Sequence, residues 1–226
     1  MESFVEENTL LKDDLAQCRF EHVLAQKSDD IHESEAANLG IAAQHLEQWA
    51  EARTFFKQWA KHGAHTSTGD LVSIIIPTHN RPELLKRALQ SAIHQLYENL
   101  EIIVVNDAGQ DVSHVVDALQ TERTITLINH SKNQYLAAAR NTGLNAANGK
   151  YICYLDDDDQ LYLHHIGHLV QILSCTNAKA AQAMPYYLTP DKESMTGYFL
   201  KGCPFRPFTL QEVLVLNIVP VNCILH

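Results

Sequence analysis

The stretch Leu71-Val72-Ser73-Ile74-Ile75-Ile76-Pro77-Thr78-His79-Asn80-Arg81-Pro82 decides the fold of this chain. Its first six residues form a nearly continuous apolar run, which is typical of a parallel strand buried on both faces. Pro77 is predicted to end this strand, and the polar residues 78–81 then form a loop. Pro82 suits the first turn of a helix, and the apolar spacing carries that helix to Ala92. The stretch therefore predicts one strand–loop–helix unit.

The same alternation continues along the chain. Further strands are predicted at 101–106, 124–128 and 150–155, and further helices at 112–119 and 135–147. Strands that alternate with helices indicate an α/β fold with a mostly parallel, doubly wound sheet flanked by helices. Ligands of such sheets bind outside the carboxyl ends of the strands. The polar residues that follow each strand are therefore the candidate site.

Four consecutive carboxylates follow the last of these strands, in Tyr154-Leu155-Asp156-Asp157-Asp158-Asp159. Neighbouring carboxylates repel one another, so this cluster favours a shared cation, and oxygen ligands favour Mg²⁺ or Mn²⁺. A solvated acidic loop is the alternative. That alternative does not explain why the loop 78–81 and Asp107 also lie at strand ends, where they converge on the same crevice.

Four stretches together resemble the nucleotide-binding half of a family 2 glycosyltransferase with the GT-A fold. They are Val72-Ser73-Ile74-Ile75-Ile76-Pro77-Thr78-His79-Asn80-Arg81, Ile103-Val104-Val105-Asn106-Asp107-Ala108-Gly109, Ala139-Arg140-Asn141-Thr142-Gly143 and Leu155-Asp156-Asp157-Asp158-Asp159. Each alone is a weak signal, but here all four occur in the expected order and at the expected places. The resemblance covers residues 71 to about 175.

The resemblance implies a set of nucleotide-binding residues and a metal site. The nucleotide-binding residues are Pro77, Thr78, His79, Asn80, Arg81, Asp107, Arg140, Asp156 and Asp157. Thr78 and His79 would lie nearest the base and ribose, and Asp107 would accept a hydrogen bond from the base. Asp156 and Asp158 would serve the metal, with Asp158 favoured as the direct ligand. Structural alternatives stay open: Asn80 stabilises its own loop, Asp107 caps the following turn, and Arg140 pairs with an acid.

The activity implied by the resemblance is transfer of a sugar from a nucleoside diphosphate, UDP-like by preference, to an acceptor hydroxyl with inversion. A carboxylate base must then take the acceptor's proton. The acids after Asp159, namely Asp191, Glu193 and Glu212, do not match the expected acidic pair. We therefore expect the base downstream of His226 and a chain truncated before it. A noncatalytic nucleotide-sugar-binding or scaffold module is the alternative, and a nucleotidyltransferase is disfavoured because no Gly-rich phosphate loop follows the first strand.

Composition restricts the surroundings of the protein. The net charge of −10 over 226 residues disfavours nonspecific binding to nucleic acid. The five cysteines are odd in number and widely spaced, which fits reduced thiols. The sequence contains no apolar window long enough for a membrane span and no secretory signal. We expect a cytoplasmic protein, with peripheral association at the inner face of the membrane as an alternative.

Residues 1–65 are predicted to form a helical segment that precedes the domain at 71–226. An early apolar stripe comprises Phe4, Leu11, Leu15, Cys18 and Ala25, and a second helix places Leu46, Trp49, Ala52, Phe56 and Trp59 on one face. Such a face needs cover. Docking in cis is the default, with self-association or a partner protein as alternatives. His164, His165 and His168 follow the acidic run, and His164 and His168 share a helix face. The pair lacks the Glu of a zinc motif, so zinc is disfavoured.

Overall fold

The computed structural model describes residues 40–41, 43–44, 47–60, 67–119, 121–176, 178–183, 186–190, 198–202 and 224–225. Contacts divide the chain into two compact units. One comprises Met1–Gly63 with Met184–Phe205, and the other comprises Ala64–Ala183 with Arg206–His226. The division into domains at 1–65 and 71–226 stays a prediction.

The helices and strands are numbered here in chain order. They are α1 (Trp49–Ala60), β1 (Val72–Thr78), α2 (Pro82–Ile93), β2 (Leu100–Asn106), α3 (Ser113–Asp117), β3 (Thr124–Asn129), α4 (Tyr135–Ala146), β4 (Tyr151–Tyr154), α5 (His165–Ser174), β5 (Ala181–Gln182), β6 (Tyr186–Pro190), β7 (Tyr198–Gly202) and β8 (Ile224–Leu225).

The larger unit contains a six-stranded sheet in the order β3-β2-β1-β4-β8-β5. β3, β2, β1 and β4 are parallel neighbours, and β8 pairs antiparallel with β4 and β5. The chain moves outward from β1 to β3 and then returns to the other side of β1 with β4. This reversal makes the carboxyl ends of β1 and β4 the topological switch point. The predicted α/β, doubly wound architecture is confirmed.

Helices cover both faces of this sheet. On one face, apolar residues of α2, α3 and α5 pack against Ile74 and Ile76 of β1 and Ile102 of β2. On the other face, α4 contributes Ala139 to a smaller cluster with Ile103 and Val105. Alternate residues of β2 therefore belong to two different cores, and in β1 the buried Ile75 lies against Gly143 of α4. Burial on both faces explains why these strands are continuous apolar runs in the sequence.

Pro77 lies within β1, so the prediction that it ends the strand was wrong. β1 continues through Thr78, where Pro77 aligns with Val105 and Thr78 with Asn106 of β2. On the opposite side, the pairing of β1 with β4 stops earlier, after the Leu155 amide donates to the carbonyl of Ile75 at 2.9 Å. In a parallel ladder the next donor on that side would be residue 77, and proline has no N–H. β4 therefore separates from β1 just where the acidic run begins.

The smaller unit contains α1 and the hairpin of β6 and β7. The predicted helix around Ala52 and Phe56 is confirmed. Both residues are fully buried, and the nearby Phe55 is 7% exposed. A Cβ added to Gly40 would lie 3.0 Å from the ring of Phe56, so the two are packed closely. The earlier stripe from Phe4 to Ala25, the residue Leu46 and the side chain of Trp59 lie outside the described residues.

Within the part of the chain that the structure describes, no helix combines the length and the apolar character needed to cross a membrane. Neither Cys153, which is buried, nor Cys175, which is exposed, forms a disulfide. The predicted cellular location stays a prediction.

Candidate nucleotide and metal site

The polar ends of three parallel strands meet at the switch point. Residues 78–81 follow β1, Asp107 follows β2, and residues 156–158 follow β4. Hydrogen bonds connect the first of these segments to each of the other two. The sequence-predicted residues are therefore brought together at one edge of the sheet.

The loop after β1 interlocks with the loop after β2. His79 Nδ1 lies 2.8 Å from the carbonyl oxygen of Asp107, and His79 Nε2 lies 3.0 Å from Asn80 Nδ2. A carbonyl only accepts, so Nδ1 carries the proton and Nε2 accepts from the amide. Asn80 has a φ of 57°, and its Oδ1 accepts from the amide of Gln110 at 2.8 Å. Gly109 permits this approach, because a Cβ there would lie 2.6 Å from the Asn80 nitrogen.

Asp107 is a buried carboxylate, with 5% of the residue exposed. Its Oδ1 accepts from His130 Nδ1 at 2.7 Å and from the Gln134 amide at 2.8 Å. Burial alone raises the pKa of Asp107, but the hydrogen bonds from Gln134 and His130 outweigh it and hold the pKa below the ordinary value of 3.8. Asp107 is therefore an ionised acceptor that also fixes the start of α4. It does so across the sheet and not by capping the turn that follows it.

Two adjacent acids of the run differ in their surroundings. Asp157 Oδ2 accepts from Thr78 Oγ1 at 2.8 Å, and its side chain is 8% exposed. The Asp158 side chain is 54% exposed. Arg81 Nη1 lies 3.2 Å from Asp157 Oδ1 and 3.2 Å from Asp158 Oδ2. Asp157 therefore connects β1 to the acidic loop, whereas Asp158 faces the solvent side of the crevice.

Arg140 pairs with an acid, as one of the open alternatives expected. Its Nη2 lies 2.6 Å from Asp156 Oδ1, and its guanidinium lies 5.7 Å from the centre of the Tyr154 ring. Burial raises the pKa of Tyr154, and the charge of Arg140 lowers it by less. The guanidinium reaches the end of β4 from α4, which packs on the opposite face of the sheet from α2. Arg140 thus compensates part of the negative charge of the run.

A divalent cation fits the chemistry of this donor set but not as a complete cage. Among the residues that the structure describes, no three His, Cys, Asp or Glu side chains group closely enough to hold a metal ion. Asp156 and Asp158 supply carboxylate oxygens from one loop. The Asp156 side chain is 32% exposed and the Asp158 side chain is 54% exposed. Mg²⁺ and Mn²⁺ are bound in this way when substrate phosphates and water complete the coordination.

Sequence reasoning missed His130 and Thr142. His130 directly follows β3, and its Nε2 lies 2.9 Å from Thr142 Oγ1 on α4. His130 is one of 13 histidines, and its two partners lie 23 and 12 residues away in the sequence. The available signal for a site residue was the position of His130 at the end of β3, which pairs with β2, the strand that Asp107 follows.

A mostly parallel sheet wound in both directions, with polar loops gathered at its switch point, defines an α/β protein of the doubly wound class. Residues 73–215 match the sequence model of the family described as Glycosyl transferase family 2. This match covers more than half of the chain, so the chain belongs to glycosyl transferase family 2. The predicted family is confirmed.

Curated relatives agree with this assignment. An uncharacterised glycosyltransferase of Rickettsia prowazekii, RP339, is 34% identical over 151 residues, which are 67% of this chain and 46% of the relative. Glycosyltransferase GlyA of Streptococcus pneumoniae is 33% identical over 135 residues, which are 59% of this chain and 19% of GlyA. The chain spans less than half the length of the first of these relatives and about a fifth of the second.

One similar solved structure is a mannosyltransferase of Pyrobaculum calidifontis in complex with GDP-Man and Mn²⁺. Its TM-score is 0.47 at 23% identity, and the match covers 66% of this chain and 47% of that one. Another is TarS of S. aureus in complex with UDP, with a TM-score of 0.46 at 20% identity over 49% of this chain and 34% of TarS.

Proposed function

We propose that this chain carries the donor site of an inverting glycosyltransferase. The donor would be a sugar nucleotide of the UDP type, and the acceptor would be a hydroxyl group. The observation that carries this proposal is the convergence of polar side chains from β1, β2 and β4 at the switch point of the sheet. A ligand held there would touch all three strand ends.

Different side chains of the site contact different parts of the nucleotide in this proposal. Asp107 reads the base, because an ionised carboxylate accepts hydrogen bonds only and therefore selects a ring N–H. Its Oδ1 is engaged by His130 and Gln134, so the base is read through Oδ2. Thr78 and His79 lie between Asp107 and the acidic loop, where the ribose would rest. Asp157 contributes by holding Thr78 and Arg81 in place.

Asp156 and Asp158 face the diphosphate in this proposal. Arg140 and Arg81 are ion-paired to them, and each arginine can move to a phosphate oxygen when the carboxylates bind a cation. Bound Mg²⁺ or Mn²⁺ would neutralise the charge that develops on the leaving diphosphate. The side chains of this chain therefore position the donor and balance its charge.

Titration calorimetry tests the proposal. The chain should bind UDP in the presence of Mg²⁺ or Mn²⁺ and only weakly with EDTA, because unscreened carboxylates repel a diphosphate. Asp158→Asn should remove most of this metal dependence, since an amide is a poorer ligand for a hard cation. Equal affinities with and without EDTA would contradict the assignment of the metal site.

A second experiment addresses the base. Asp107→Asn should weaken binding of UDP and reduce the preference over CDP and GDP, while the metal dependence stays as in the unmodified chain. The matched comparison is Asp158→Asn, which should change the metal dependence and leave the base preference. Unchanged preference in Asp107→Asn would rule out the role given to Asp107.

A further inference from the structure

His130 joins the carboxyl end of β3 to both Asp107 and α4. The His130 amide donates to the carbonyl of Asn106 at 2.9 Å, so its backbone is fixed by the sheet. The imidazole is 6% exposed and lies between two partners, Asp107 Oδ1 at 2.7 Å and Thr142 Oγ1 at 2.9 Å. Both ring nitrogens are therefore used inside the protein.

The two contacts fix which nitrogen carries the proton. An ionised carboxylate only accepts, so His130 Nδ1 donates to Asp107. In the neutral ring Nε2 is then an acceptor, and the Thr142 hydroxyl donates to it. The Asp107 carboxylate thereby selects the tautomer, and the Thr142 hydroxyl satisfies the other ring nitrogen. Thr142, His130 and Asp107 form one directed chain of hydrogen bonds.

The hydrogen bond from His130 fixes the orientation of the Asp107 carboxylate. The His130 ring and the Gln134 amide both donate to Oδ1. With Oδ1 held, the carboxylate plane cannot rotate without loss of these bonds, and Oδ2 keeps one direction. A carboxylate that reads a base must keep such a direction, because discrimination depends on geometry.

Resting on the proposed function, we infer that His130 is a positioning residue that sets the base preference of the site through Asp107. It does not touch the nucleotide itself. Removal of its Nδ1 donor frees the carboxylate to rotate, so the preference for the UDP-type base falls along with the affinity. The conservative variant His130→Asn places an amide N–H near the position of Nδ1 and should restore the preference.

The first measurement uses the free chain and needs no ligand. Long-range proton–nitrogen correlation NMR of the histidine side chains should show His130 in the Nδ1–H tautomer. Thr142→Val removes the hydroxyl with little change of shape, and this variant should keep the Nδ1–H tautomer, because the Asp107 carboxylate still accepts from Nδ1. An Nε2–H tautomer in the unmodified chain would overturn the inference, whatever the chain binds.

The second measurement compares the affinities for UDP, CDP and GDP with Mn²⁺ present. His130→Leu should weaken UDP binding about tenfold, the effect of one hydrogen bond to a charged group, and should narrow the ratio between the bases. His130→Asn should recover most of that ratio. The matched control is His114→Leu, the same change at an exposed histidine of α3. Thermal midpoints are recorded for every variant.

The outcomes separate positioning from simple stability. A purely structural role lowers the thermal midpoint of His130→Leu and leaves the base ratio of the folded fraction unchanged, and that result would refute the inference. Failure of the unmodified chain to bind any of the three nucleotides would instead overturn the proposed function, and the inference with it. His130→Asn should recover the base preference, whereas His130→Gln, which places its amide near Nε2, should not. That pair of results supports the role of Nδ1.

Discussion

Replacement of Asp157 by alanine should lower the stability of the fold much more than replacement of Asp158, although the two acids are neighbours. Asp157 is buried and accepts from Thr78 Oγ1 at 2.8 Å, whereas the Asp158 side chain is 54% exposed. We expect Asp157→Ala to destabilise the fold and Asp158→Ala to leave it nearly unchanged.

The magnitude follows from the contacts. Loss of a buried hydrogen bond to a charged acceptor costs about 1.5–3 kcal/mol. The ion pair with Arg81, whose side chain is 52% exposed, adds at most about 1 kcal/mol. Asp157→Ala should therefore lower the free energy of unfolding by about 1.5–4 kcal/mol. For Asp158→Ala the loss should stay below about 1 kcal/mol.

Urea unfolding followed by circular dichroism measures both variants. Thr78→Val with Asp157→Ala completes a double-mutant cycle, in which the two changes should couple by at least about 1 kcal/mol if the hydrogen bond is present. Equal destabilisation by the two single alanine variants would refute the reasoning, because it would mean that Asp157 is no more deeply engaged than Asp158.

Three further predictions follow from other parts of the larger unit. Gly143→Ala should destabilise the fold by about 1–3 kcal/mol in urea unfolding, because the new Cβ would lie 2.3 Å from Ile75 Cγ2; no loss would show that α4 shifts freely on β1. Burial raises the pKa of Glu101, but hydrogen bonds from Ser73 and Asn148 lower it below the ordinary 4.5. This carboxylate therefore stabilises the fold above about pH 4.5. The unmodified chain should unfold at a higher midpoint than Glu101→Gln above that pH, and the difference between the two midpoints should shrink as the pH falls below about 4.5. Tyr135 has a φ of 68° and is 78% exposed, so Tyr135→Gly should raise the thermal midpoint by relieving about 1 kcal/mol of backbone strain; a lower midpoint would contradict this.

The fold could be predicted because its signals are local. The apolar run at Ile74–Ile76 and the proline at the start of α2 specify a buried strand and a helix without knowledge of any partner. The same logic placed Asp107 and Asp156 at strand ends. Pro77 was misassigned because its effect depends on which neighbour its missing N–H faces, and that is a property of the sheet and not of the segment.

The internal contacts of the site could not be predicted. The sequence gives no distinction between Asp157 and Asp158, yet one is buried against Thr78 and the other faces solvent. The same limit applies to His130, whose partners come from β2 and α4. Such pairings depend on how loops from different strands turn after the sheet has formed, so residue type and spacing carry little information about them.

Pro77 sets the point at which the pairing of β1 with β4 ends. After the Leu155 amide donates to Ile75, the next donor from β1 toward β4 would be residue 77, and proline has no N–H. The backbone after Leu155 therefore leaves the sheet, and the acidic loop is joined to the end of β1 through side chains, such as the hydrogen bond from Thr78 to Asp157. The loop can thus differ in sequence from one family member to another without a change in the ladder, because the departure point depends on the backbone of one residue.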